Sequence, residues 1–105
     1  MIIRNAAVIA IADSDLHPHL KARMEQRGVA IDEIERALNE GWEAEDAKPG
    51  TLGKVFVFPF AKQWEGSFFE QKEVSVYYKL VDERILLLTV KARYGKSFPG
   101  KGGNP

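Results

Sequence analysis

His19-Leu20-Lys21-Ala22-Arg23-Met24-Glu25-Gln26-Arg27-Gly28 reads as a short helix stopped by a glycine. On a 3.6-residue period Leu16, Leu20 and Met24 form one apolar stripe, and His19, Arg23 and Arg27 form a second stripe beside it. The first stripe must be buried against another layer. The second puts an imidazole and two guanidinium groups on one helix flank. That is either an anion-binding row or a solvated flank whose arginine methylenes cover the rim of the core.

Outward from this helix, Asp13-Ser14-Asp15 supplies N-cap residues and Pro18 falls in the first turn, so the helix spans about 16–27. Asp32 with Glu35 resembles a capping box, and Ile31, Ile34 and Leu38 mark one face of a second helix ending at Gly41. The short link makes the two an antiparallel hairpin. Before them, the apolar run Ala6–Ala12 is too short to span a bilayer and reads as a buried strand. After them the period changes to two. Residues 54–60, 73–81 and 84–92 are strands, the last apolar throughout and expected to be central. Pro59 calls for an edge position or a bulge, and Asp82-Glu83 forms a tight hairpin turn. Residues 61–71, with Trp64, Phe68 and Phe69, show no period that assigns them.

The expected order is β-α-α-β-β-β, an α+β domain with a helical hairpin packed on an antiparallel sheet. A single domain over residues 1–98 and a C-terminal tail at 99–105 follow from the Gly/Pro-rich ending. With 45% apolar and 29% charged residues, the chain falls in the ordinary globular range. The absence of cysteine excludes a disulfide framework and a thiolate zinc site, and fits a cytoplasmic location. His17 and His19 point roughly 200° apart on the helix and cannot chelate one ion, so no metal or other cofactor is expected. Net charge is zero but segregated: residues 30–50 carry −5 and residues 84–105 carry +5. Either the basic block presents a face to an anionic partner or the two blocks compensate each other in the fold.

The motif H-x-x-x-R-M-x-x-R-G-V from His19 to Val29, followed by an acidic helix ending at Gly41, resembles a family of small bacterial domains of unknown function. Those domains are grouped with the RelE/ParE-like ribonuclease toxins of the barnase/EndoU/colicin/RelE superfamily. The runs Val76–Lys79 and Ile85–Ser97 are similar to the last hairpin of RelE-type toxins, where an apolar strand runs into a Lys/Arg-bearing end. The resemblance implies a RelE/ParE-like fold and a small metal-independent endoribonuclease, with RNA or the ribosome as target and a cognate antitoxin as partner. The chain departs from the toxins in being neutral rather than basic.

Such cleavage needs a proton-transfer group for the ribose 2′-hydroxyl and cations for the charge-rich phosphorane. His19 is the candidate acid/base, with Arg23 and Arg93 as phosphate forks completing the catalytic set. Arg27, Lys91, Tyr78 and Tyr94 are the candidate substrate-binding residues, the tyrosines through stacking. These expectations require His19 and Arg93 to share one cleft. The alternative is a non-catalytic protein-binding or scaffold module of the same fold. Tyr77 and Tyr78 should point to opposite sheet faces, and Phe56, Phe58 and Phe60 should share a core-facing one.

Overall fold

The computed structural model describes residues 2–3 and 8–99. Its elements are β1 (Ile2–Ile3), a 3₁₀ turn (Asp13–Asp15), α1 (Pro18–Arg27), α2 (Ile31–Glu40), β2 (Trp42–Glu43), β3 (Leu52–Trp64), β4 (Ser67–Val81) and β5 (Arg84–Gly95). The strands form one antiparallel sheet in the order β1-β5-β4-β3-β2. The expected α+β class holds, with α1 packed on β5 and α2 on β3 and β4.

The apolar stripe is buried as its spacing requires: Leu16, just ahead of α1, and Leu20 and Met24 within it meet Ile34, Ala37 and Leu38 of α2 in one core. From the sheet, Val74, Val76 and Tyr78 of β4 and Ile85, Leu87 and Val90 of β5 complete that core, with Phe56 and Phe58 packed against it. By strand alternation Ser75 and Tyr77 then lie on the opposite sheet face, also buried. The central strand is therefore β4, buried on both faces over Val74–Tyr78, and not β5 as the apolar run 84–92 led one to expect.

The N-terminal segment and both helix caps differ from expectation. No strand occupies residues 8–12, and Ala6 and Ala7 lie outside the described residues. The backbone there bonds to α2 side chains instead of a ladder. Ile9 N–H donates to Asn39 Oδ1 at 2.7 Å, Asn39 Nδ2 donates back to Ile9 O, and Ile11 N–H donates to Glu35 Oε2 at 2.7 Å. The helix caps also differ. His17 caps α1, its Nδ1 accepting Leu20 N–H at 3.2 Å, and Glu33, not Glu35, accepts the N–H of the α2 N-cap residue Ala30 at 2.9 Å.

The unassigned stretch 61–71 is the end of a long hairpin. β3 carries one extra residue between Pro59 and Lys62, with Ala61 at φ 49°, and the ribbon turns through Glu65 (φ 48°) and Gly66 (φ 87°). Pro59 thus sits at a bulge, on a strand whose other edge β2 covers only at Lys54 and Val55. Beyond the Gln71–Gly95 pair, β4 loses its β5 partner and the two-stranded ribbon brings Trp64 against the end of α1. Gly28, the left-handed C-cap at φ 70°, accepts this contact because it lacks a Cβ, which would stand 2.7 Å from the indole. Of the expected tail at 99–105, only Pro99 is among the described residues.

Candidate functional site

The last turn of α1, the end of β5 and the tip of the β3–β4 ribbon enclose a groove of about 320 Å³ lined by Gln26, Arg27, Trp64, Glu65, Ala92 and Tyr94. Its wall is aromatic. The Trp64 and Tyr94 rings stack at 4.9 Å between centroids with 14° between planes, and Phe60 and Phe69 close on the Tyr94 ring at 5.3 and 5.8 Å. Tyr94 hydroxyl donates to the Arg27 carbonyl at 2.5 Å, which fixes the ring against the helix end. Burial, with the charges of Glu33 and Glu65 behind it, pushes the Tyr94 phenol up to about 12. The ring is therefore a neutral, held donor at physiological pH.

Beneath this wall Lys72 is buried, donating to the Gly28 carbonyl and pairing with Glu33 at 2.8 Å. Its ammonium also lies 5.7 and 5.6 Å from the ring centroids of Phe60 and Tyr94. The Arg27 side chain behaves differently. Its Nε is buried and has no hydrogen-bond acceptor among the described residues. One and two turns earlier on the same flank stand Arg23, bonded among the described residues only to the neutral Gln26 Oε1 at 3.1 Å, and the exposed His19. The His19 ring lies parallel to His17 at 6.0 Å and not on the opposite side as helical spacing led one to expect, because His17 is the extended N-cap and stands outside the helix.

The other cations lie elsewhere. Ala92 packs on the core and Tyr94 meets α1, so Arg93 between them faces the opposite side of the sheet. There it forms a two-point pair with Glu73 at 2.7 and 3.0 Å, and that carboxylate pushes the guanidinium above its usual range. Lys91 shares this face, 3.4 Å from Asp46 and 5.1 Å from the Tyr77 ring centroid. The Tyr77 hydroxyl donates to Asp46 at 2.8 Å and, ahead of Lys91, holds that carboxyl below the usual range. Lys91–Asp46 thus joins the basic C-terminal block to the acidic middle block.

His19 and Arg93 do not share a cleft. The geometry brings together Arg27 and Tyr94, with Arg23 and His19 along the same flank, and it separates Lys91 and Arg93 from them by the thickness of the sheet. Tyr78, expected to stack on a base, is buried in the core at 8% exposure and offers no open ring face. Trp64 was not anticipated as a site residue. The alternation that would reveal its face is broken by the one-residue bulge before it. For Arg93 the signal was present: the core-facing set Val90, Ala92, Tyr94 assigns Lys91 and Arg93 to the other face once the helices are placed on the apolar side.

Among the described residues no group of three or more His, Asp or Glu side chains is arranged to hold a metal ion. No helix among them is long and apolar enough to cross a membrane. Compared with known proteins, the chain matches no family model, no curated protein sequence and no solved structure.

Proposed function

We propose that the chain is a small RNA-engaging domain of the ribonuclease-toxin type, with its site on the α1 flank and without Lys91 and Arg93 of the far sheet face. One observation carries this reading: among the described residues Arg23 and Arg27 have no carboxylate partner, whereas Lys91 and Arg93 are each taken up by one. An unpaired guanidinium row is what a phosphodiester backbone requires. His19, first in that row, takes the proton of the 2′-hydroxyl as it attacks its own phosphate. The phosphorus–oxygen bond to the 5′-oxygen breaks, that oxygen is protonated from solvent, and a 2′,3′-cyclic phosphate is left. A cognate antitoxin acts by covering this flank.

The test is cleavage of single-stranded and structured RNA by the purified chain with a chelator present, alone and with programmed ribosomes. His19→Ala should lower the rate by roughly 10²–10⁴-fold, the usual share of acid–base catalysis. Arg23→Lys should lose activity although the charge is kept, because an ammonium lacks the planar fork. Arg93→Gln, on the far face, should leave cleavage unchanged.

The second reading is a non-catalytic protein-binding module. The Arg93–Glu73 and Lys91–Asp46 pairs favour it, because they neutralise the open sheet face in a chain of zero net charge. Wild-type protein that neither cleaves nor binds RNA at low salt would decide for it.

A further inference from the structure

We infer that the groove between the end of α1 and the β3–β4 ribbon is a phosphate subsite that holds one nucleotide unit, with the phosphate on Arg27 and the base against the Trp64 wall. The ligand class rests on the RNA reading above; the site itself rests on four features of the groove.

The first is the Arg27 Nε, a buried donor with no acceptor among the described residues. A buried N–H is nearly always paired, and a rotation of the Arg27 side chain into the groove it lines would bring Nε and one terminal nitrogen onto an oxyanion together. The second is that Tyr94 is spent. Its hydroxyl already donates to the Arg27 carbonyl, so the Trp64–Tyr94 stack offers an apolar, held wall and not a competing polar group. Aromatic walls of this kind accept any base. The third is size. At about 320 Å³ the groove has room for a mononucleotide and sits at the small end of ligand sites, which run from about 300 Å³. The fourth is its continuity with Arg23 one turn away, which gives a strand held in the groove a second phosphate contact.

Glu65 stands at the groove lip on the ribbon turn and opposes an anion there. That opposition makes the charge of the ligand testable.

The experiment follows Trp64 fluorescence in the full chain carrying Trp42→Phe, so that a single indole reports. Adenosine 5′-monophosphate should change the emission saturably, inorganic phosphate should compete with it, and adenosine should bind far more weakly. A uridine 5′-monophosphate arm should behave like the adenosine one. Arg27→Gln should weaken the monophosphate by about tenfold or more, the loss of a charge-assisted bond. Glu65→Gln, at an exposed turn that does not hold the fold, should tighten it severalfold by removing a like charge. Overturning results are a monophosphate that does not saturate, adenosine binding as well as its phosphate, or Glu65→Gln weakening the monophosphate. If RNA binds through Arg23 but the monophosphate does not bind, the groove assignment fails alone. If the monophosphate binds but RNA is neither bound nor cleaved, the flank reading fails alone.

Discussion

Lys72 Nζ lies 2.8 Å from Glu33 Oε1, and this pair ties the central strand to the first turn of α2. Only 4% of the lysine side chain and 19% of the glutamate side chain are exposed. The same glutamate oxygen accepts the Ala30 N–H, and the ammonium also meets the Gly28 carbonyl. One ion pair therefore holds the α1–α2 link, the α2 cap and the floor of the groove.

Removing one partner strands the other charge. Lys72→Ala should lower the unfolding free energy by about 3 kcal/mol, the range found when buried pairs are broken. The double variant Lys72→Met with Glu33→Gln should recover most of this, since Gln still accepts the Ala30 N–H and no charge remains buried. Urea unfolding of the three proteins checks it.

Gly28 answers to two demands at once. A side chain there suffers the left-handed φ of 70°, and its Cβ would stand 2.7 Å from the Trp64 ring and 2.9 Å from the Tyr94 hydroxyl. Gly28→Ala should cost about 2–3 kcal/mol, more than the left-handed penalty alone. Because the ring must move, Trp64 emission should shift to the red in the folded variant. Destabilisation without that shift would mean the ribbon does not rest on the helix end.

The two histidines should separate cleanly. His17 Nδ1 accepts Leu20 N–H, so Nε2 carries the proton it donates to Leu87 O at 3.1 Å, linking the α1 cap to β5. His17→Ala should lose about 1–2 kcal/mol, the scale of a lost N-cap with its tether. His19→Ala should stay within about 0.5 kcal/mol, as exposed substitutions do. Thermal melts read both, and equal losses would contradict the assigned cap.

Alkaline stability should hinge on two tyrosines. Burial first, then the bond to Asp46, pushes Tyr77 up to about 12, and burial pushes Tyr94 to about 12. Each binds its proton more tightly when folded than at the ordinary value of 10. Their contribution is therefore complete below pH 10 and is lost as the pH rises from there through about 12. Asp46 acts at the other end: held low chiefly by Tyr77, it contributes above pH 3.8 and loses that as the pH falls further. Phenolate absorbance followed with far-ultraviolet circular dichroism should show Tyr77 and Tyr94 ionising late, together with unfolding.

Much of the architecture is legible from local pattern. The Leu16–Leu20–Met24 stripe, the Gly28 stop and the Ile34–Leu38 spacing identify two helices with a shared buried side, because 3.6-residue periodicity is a property of the chain itself. Strict alternation in Glu73–Val81 identifies β4, and Pro59 foretells the bulge that the ladder needs to tolerate it. The same reasoning failed at residues 8–12, where apolar content suggested a strand. The partners for those backbone groups, Asn39 and Glu35, come from a helix some 24–30 residues away.

The candidate site divides the same way. The row His19, Arg23, Arg27 is written in the sequence, since helical spacing alone aligns it. Which cations join that row is a tertiary matter. Arg93 and Tyr94 are adjacent in the chain, yet the pleat sends one to Glu73 and the other to the Arg27 carbonyl. Trp64 reaches Gly28 only because one extra residue in β3 bends the ribbon over the helix end. Short-range periodicity fixes which side chains share a face. Only the packed layers decide which faces meet, because that depends on burying both helices on one side of the sheet.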